Sequence, residues 1–362
     1  MNGLKIFYTE GRCTILYIIL FPLLFVLSCF YFLLVGLAVF LYTKGILRSY
    51  RSKAKVISVG NITLGGSGKT PLVEYLAHQL ADDRRRVCIL LKGYKTPKEN
   101  KAMGSPDYYV YGDEASMLKE SLMDKAVVLT GNKRDELACE IDAGSLGDTI
   151  LLDDGFQHWR LKRDWDMVVM DATRPFGTRF LLPAGHLREG LSSLKRAHCF
   201  VLSHCDEASG DQIAELEKLL FSINPRADIL RSIHAPESLT HLKTGKKEGL
   251  DILKGVSVGL FCGIAHPASF LNTVKKLGAY VILERFFDDH HHYQQEEITD
   301  FIENCRAAGI ERILTTEKDA PRVSGLVRSM DLRIDILVLR IVLKITKGQE
   351  ILNGRLYSLY HS

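Results

Sequence analysis

The stretch VGNITLGGSGKTP (59–71) constrains the fold more than any other part of the chain. A β-branched run, KVISVG (55–60), leads into it, and a helix-forming run over 70–79 leads out. Glycines at 65, 66 and 68 let successive backbone N–H groups turn inward, as a loop that cradles phosphate oxygens requires. The helix N-terminus behind them adds its dipole. In this motif Lys69 reaches the β- and γ-phosphates of a nucleotide and the Thr70 hydroxyl ligates Mg²⁺. Pro71 falls in the first helical turn, where a missing N–H has no partner to lose. Strict spacing puts Thr63 where the first glycine usually stands. The candidate loop is therefore Thr63, Leu64, Gly65, Gly66, Ser67, Gly68, Lys69 and Thr70.

A strand–loop–helix unit of this kind belongs in a parallel sheet, and the chain supplies the other strands. RVCILL (86–91), AVVLT (126–130), DTILLD (148–153), DMVVMD (166–171) and CFVLS (199–203) alternate with helical stretches. A turn-rich, charged stretch, HAPESLTHLKTGKKEG (234–249), reads as a linker. A second set follows: VSVGLFCGI (256–264), a helix from Pro267, AYVILERF (279–286), a helix over 295–308, and RILTT (312–316). The expected class is α/β: a P-loop NTPase-like parallel-sheet domain (44–230), a linker (231–250) and a smaller α/β domain (251–362). An N-terminal membrane segment (1–43) precedes them.

That segment is CTILYIILFPLLFVLSCFYFLLVGLAVFLYT, with no charged residue between Arg12 and Lys44. A spanning helix needs about 20 apolar residues, so the run is long enough to cross a bilayer with tilt. It is too long for the apolar part of a signal peptide. Pro22 and Gly36 leave open a kinked helix or one lying in the inner leaflet. Lys44, Arg48, Arg51, Lys53 and Lys55 follow it, against Lys5, Arg12 and Glu10 before it, which places the body on the cytoplasmic side. The net charge of +4 gives no case for a nucleic-acid partner. Nothing in the chain specifies a protein partner. The eight cysteines form no C-x-x-C pair, as in chains of a reducing compartment.

A phosphate loop needs a carboxylate at the end of a neighbouring strand to hold the metal. TILLDDGFQH (149–158) offers Asp153 and Asp154; Asp171 is a weaker candidate. NKRD (132–135) matches a guanine-reading motif but precedes the acidic strand instead of following it, which argues against that reading. DDHHHY (288–293) sits at a strand end, where α/β proteins place their chemistry. HCFVLSHC (198–205) reads as ordinary strand residues on two faces.

Taken together the motifs resemble those of the tetraacyldisaccharide 4′-kinases. VGNITLGGSGKTP, YGDEASML (111–118), LDDGFQHWRLKRD (152–164), DATRPFG (171–177), LLPAGHLREGLSSLKRA (181–197), FDDHHHY (287–293) and TTEKDAPRV (315–323) occur in the family's order. The resemblance implies transfer of the ATP γ-phosphate to the 4′-hydroxyl of a tetraacylated disaccharide 1-phosphate at the inner membrane, with Mg²⁺. It further implies Asp113 as general base with His290 as its partner, and Glu114, Asp153, Asp154, His158, Arg188 and Glu189 lining the site. Of these, Asp153 and Asp154 are assigned to the metal or its waters, Arg188 to phosphate charge, and Glu189 to Arg188 or a metal-bound water. Two positions depart from the family pattern: Lys92 in LKGY (91–94), and His266 before Pro267. The competing class is a membrane-associated P-loop ATPase or GTPase switch. It predicts hydrolysis without an acceptor lipid and leaves DDHHHY without a task.

Overall fold

A computed structural model describes residues 14–93, 113–264, 267–289, 291–327 and 334–361. Helix α1 (Thr14–Thr43) leads into strand β1 (Lys55–Gly60), the phosphate loop and helix α2 (Lys69–Asp82). Then come β2 (Val87–Lys92), α3 (Asp113–Leu122), β3 (Ala126–Gly131), α4 (Arg134–Gly144) and β4 (Thr149–Asp153). β5 (Trp165–Asp171), β6 (Cys199–Ser203), α5 (Gly210–Ile223) and β7 (Asp228–His241) complete the first half. The second half holds β8 (Lys247–Glu248), β9 (Ser257–Cys262), α6 (Pro267–Lys276), β10 (Tyr280–Phe286), α7 (Gln295–Ala307), β11 (Arg312–Thr316) and α8 (Ala320–Val327). β12 (Asp335–Lys347) and α9 (Gln349–Tyr360) end the chain.

All the strands belong to one sheet, ordered β10-β9-β11-β12-β7-β6-β5-β1-β4-β2-β3, with β8 paired to β7. β1 lies between β4 and β5, parallel to both, and Val59 pairs with Asp153. That register sets the first carboxylate of the DD pair beside the start of the phosphate loop.

The stretch 234–249, read as a turn-rich linker, holds regular structure. Up to His241 it is strand, and β7 pairs antiparallel with β12 along nearly its whole length. Proline and charge disguise it, but Pro236 sits where the register shifts between Arg340 and Ile341, a bulge where the missing N–H is tolerated. β12 itself carries no turn signal and was not anticipated.

The antiparallel β7–β12 pair reverses strand direction, so in a flat sheet the C-terminal ends of β9–β11 would face away from the phosphate loop. Sheets twist by about 20–25° per strand. Over the steps from β9 to β1 that twist swings the two C-terminal edges toward each other. Two contacts show the result: Ser269 on α6 donates to Glu207, after β6, and Lys276 lies 3.7 Å from Asp206. Arg340 on β12 ties the halves further, reaching Glu74 on α2 at 3.1 Å and Glu237 on β7 at 2.9 Å.

α9 then returns to the first half. Its Leu352 and Leu356 join the core made by Leu72, Leu76 and Leu80 of α2. Tyr360 and Thr149 share a hydroxyl hydrogen bond of 2.7 Å. Burying each such leucine contributes about 1.5–3 kcal/mol, which fixes α2 rigidly behind the loop.

α1 is apolar all round and carries no charged residue from Thr14 to Thr43. One flank docks on the body. Phe21 packs edge-on against Phe180 at 5.2 Å, Ser28 donates to the Leu181 carbonyl, and Tyr42 meets Trp159 at 6.0 Å. The other flank exposes Leu23, Phe30, Leu33, Leu34 and Leu37.

Candidate active site

The phosphate loop takes the shape its glycines predict. Gly65 (φ 111°) and Gly68 (φ 84°) occupy the left-handed region, where a side chain would be strained, and Gly68 caps α2. Asn61 donates to the Ser67 hydroxyl at 3.0 Å, and Ser203 donates to the Ser67 carbonyl at 2.9 Å. At the loop's entrance Thr63 bridges to Leu187, and the Leu64 N–H donates to the His186 carbonyl at 2.7 Å. The Arg188 N–H donates back to the Ile62 carbonyl at 2.7 Å. The segment 186–188 is thus a short strand laid along the loop, which places Arg188 beside it.

At the end of β4 the carboxylates divide their work. Asp153, 4% exposed, turns Oδ2 to the Thr70 hydroxyl at 3.3 Å. Asp154 lies at φ 50° and directs both oxygens to Arg188 Nη1, at 2.7 and 2.8 Å, with Lys69 Nζ 3.6 Å away. Burial works against its charge, but Lys69, Arg188 and Arg134 outweigh it and hold the carboxyl below the usual range.

Arg134 is the residue the sequence reading missed. It lies inside NKRD and opens α4, where it is buried and donates to the main-chain carbonyls of Asp153 and Asp154. Burial lowers its pKa, with Asp154 and Asp153 opposing. The NKRD segment therefore props the acidic turn. Its signal was masked by the likeness to a base-reading motif, whereas an arginine that follows a strand and opens a helix was the usable clue.

His158 lies just past that turn, its N–H on the Gly155 carbonyl at 2.8 Å and its ring 3.8 Å from Asp135. Burial, then the charge of Arg134, pushes its pKa down to about 4, so the imidazole is neutral at pH 7. Glu189, 3% exposed, accepts from Arg196 at 2.9 and 3.0 Å and from Gln157 at 3.0 Å. Gln157 also donates to the Asn61 carbonyl at 2.9 Å. Glu189 thus ties the acidic turn to the root of the loop.

Asp113 is the first residue of α3. The side chains of Asp113 and Glu114, and all of His290, lie outside the described residues. Next to His290, His291 stacks on Phe287 at 4.6 Å and bonds Glu297 at 2.9 Å.

Thr70 and Asp153 present two hard oxygen donors side by side, the set that suits Mg²⁺, which keeps waters and phosphate oxygens in its shell. Among the described residues no group of three or more His, Cys, Asp or Glu forms an all-protein cage. A cavity of about 290 Å³ lies between Tyr42, Trp159, Asn132 and His158, at the foot of α1. Another of about 420 Å³, lined by Lys195, His198 and Arg355, opens at the N-terminal ends of β5 and β6, remote from the loop.

The family model for tetraacyldisaccharide-1-P 4′-kinase, LpxK, matches residues 20–358. The chain belongs to this family. A tetraacyldisaccharide 4′-kinase of Anaeromyxobacter sp. (strain K) is 36% identical over 323 residues, 87% of this chain and 84% of its own length. One of Halothermothrix orenii is 36% identical over 343 residues, 90% of this chain and 88% of its own length. The structure of LpxK from Aquifex aeolicus in complex with ATP matches with a TM-score of 0.70 at 26% identity, covering 96% of this chain and 100% of that one. The enzyme is accordingly a tetraacyldisaccharide 4′-kinase of lipid A biosynthesis, and its α/β fold is the LpxK fold.

Proposed function

We propose that this enzyme transfers the γ-phosphoryl group of ATP to the 4′-hydroxyl of a tetraacylated glucosamine disaccharide 1-phosphate, giving the 4′-phosphorylated lipid and ADP. The observation that carries the reading is the pair Thr70–Asp153, set beside the charged trio Lys69–Asp154–Arg188 at the mouth of a phosphate loop. Lys69 and Arg188 converge on one carboxylate, so two cations stand where transferred phosphate charge gathers. Thr70 and Asp153 are the residues that would hold Mg²⁺, whose charge offsets that of the β- and γ-phosphates. Asp154 keeps the two cations in place.

In the proposed step the bond from the γ-phosphorus to the β–γ bridging oxygen breaks. A bond to the sugar 4′-oxygen forms, and the hydroxyl proton passes to Asp113. His290 orients Asp113, as the family resemblance implies. A positioned base contributes about 10²–10⁴-fold.

The acceptor's four acyl chains keep it in the bilayer, because each buried CH₂ is worth about 0.8 kcal/mol. We place α1 in the plane of the cytoplasmic leaflet. Its contacts with the body run from Phe21 to Tyr42, about 30 Å of helix, which is a full hydrocarbon thickness. A crossing helix would draw that length of the body into the hydrocarbon with it. The basic stretch 44–55 then meets anionic headgroups. The 290 Å³ cavity beside Tyr42 and His158 gives a headgroup a path from the helix to the acidic turn.

The test is transfer of labelled γ-phosphate with the disaccharide acceptor present and absent. Label in the lipid only when acceptor is present is the expected outcome. Acceptor-independent hydrolysis at the same rate would favour the switch reading.

A further inference from the structure

Beneath the phosphate loop lies a group of side chains that the reaction as described does not use. Asp171 ends β5, Ser203 ends β6 with His204 following it, and His234 projects from β7. His204 holds φ 55°, a conformation uncommon for a residue with a side chain and found most often where surrounding structure demands it. The His204 and His234 rings meet edge-on at 4.4 Å, with His234 Nδ1 2.9 Å from His204 Nε2. His204 Nδ1 lies 3.2 Å from the Ser203 hydroxyl and 3.6 Å from the Asp171 carboxylate. Ser203 in turn donates to the Ser67 carbonyl.

The proton direction follows from these partners. The Ser203 hydrogen goes to a carbonyl, so its oxygen accepts from His204 Nδ1–H. In the neutral His204 ring Nε2 is then a lone pair and accepts from His234 Nδ1–H. The edge of His234 left over packs on the loop itself: a Cβ added to Gly68 would meet its Cε1 at 2.9 Å and its Nε2 at 3.0 Å. That Nε2 is buried with no hydrogen-bond partner among the described residues. Burial and the neighbouring His204 push the His234 pKa down to about 4, which keeps the ring neutral and the chain of donors unidirectional at pH 7.

We propose that His234, His204 and Ser203 form a hydrogen-bonded relay that braces the Ser67–Gly68 turn, and that they are positioning residues for phosphoryl transfer. The proposal rests on the kinase reading above. The relay ends on the Ser67–Gly68 peptide, one residue before Lys69, so it governs where the loop N–H groups and the lysine stand. It also gives Gly68 a reason beyond its φ, since the His234 ring fills the space a side chain would need. Linked hydrogen bonds polarise one another, so the three residues act as a unit. The HCFVLSHC segment supplies two of the three.

Two measurements test it on the full-length chain in detergent or nanodiscs. The first is the ¹⁵N chemical shift of the imidazoles, assigned through the His204 and His234 variants. Both rings are expected as the Nδ1–H tautomer, the less common form of free histidine. An Nε2–H tautomer on either overturns the relay. The second is kinetic. His234→Phe keeps the ring and removes the donor, whereas His234→Asn keeps a donor at the Nδ1 position. The expected result is a kcat about 10–100-fold lower for His234→Phe with ATP KM changed less than about threefold, and near-native kcat for His234→Asn.

Ser203→Ala combined with His234→Phe is expected to fall no further than the worse single variant. Equal losses in the Phe and Asn variants, or strict additivity with Ser203→Ala, would show packing alone and overturn the relay. Should His234→Phe fail to fold, the wild-type tautomers and the Asn variant decide. A wild-type chain without acceptor-dependent transfer sinks the kinase reading, while the tautomers still report on the relay.

Discussion

The hydroxyl of Tyr31, in the middle of the apolar helix, donates to the main-chain carbonyl of Arg188 at 2.8 Å, and the guanidinium of the same Arg188 holds Asp154. One residue thus connects the apolar helix to the acidic turn of the phosphate site. Tyr31→Phe removes a hydrogen bond worth about 1 kcal/mol. It is expected to lower kcat up to about fivefold with ATP KM unchanged, as steady-state kinetics on membrane-embedded acceptor would show. An unaffected kcat would mean that α1 anchors the enzyme without positioning Arg188.

Lys69→Ala is expected to lower kcat by about 10²–10³-fold, the usual loss when one charge-stabilising donor is removed. Asp153→Asn should instead raise the Mg²⁺ concentration needed for half-maximal rate, because Asp153 faces Thr70. Chelation with EDTA is expected to abolish transfer, and Mg²⁺ to restore it. Titrating Mg²⁺ against rate separates the two variants.

Arg134→Met leaves the carbonyls of Asp153 and Asp154 without their buried donor. An unpaired buried polar group costs about 1–3 kcal/mol, so denaturant unfolding should show a loss of that size. Arg134→Lys keeps charge but loses the fork that reaches both carbonyls, and is expected to fall between the two. Wild-type stability in Arg134→Met would remove this residue as a support of the turn.

His158 links stability to pH. Its folded pKa, about 4, lies below the ordinary 6.5, so between those values the unfolded chain binds the proton that the native one refuses. This contribution is complete above pH 6.5 and is lost as the pH falls toward 4, by up to about 3 kcal/mol. His158→Gln should flatten that part of the stability–pH curve. An unchanged slope in denaturation series at pH 4–7 would show that the imidazole is not held neutral.

Much of the site was legible because local motifs carry it. The glycines at 65 and 68, Lys69, Thr70 and the DD pair sit where strand–loop–helix chemistry demands them. The division of labour within the pair was not legible: adjacent aspartates look alike in a string, and only the Asp154 backbone at φ 50° sends its carboxylate to Arg188. Glu189 was read toward Arg188 or a metal-bound water, yet it accepts from Arg196 and Gln157. Arg134 was hidden by its resemblance to a base-reading motif. β7 was hidden by Pro236 and by charges that a bulged strand accommodates.

What the sequence alone determined is everything that depends on residues close in the chain: the apolar helix, the phosphate loop, the alternation of strands and helices, and the family motifs. Hydrophobic period, turn residues and short spacings are local and survive without a fold. Tertiary structure alone decided how these pieces meet. The β7–β12 pair merged the two halves into one twisted sheet, bringing Ser269 to Glu207 and Arg340 to Glu74. The same folding set His234 beneath Gly68 and Tyr31 on Arg188. Such contacts join residues from 62 to 266 positions apart, and their free energy exists only when the core between them is packed.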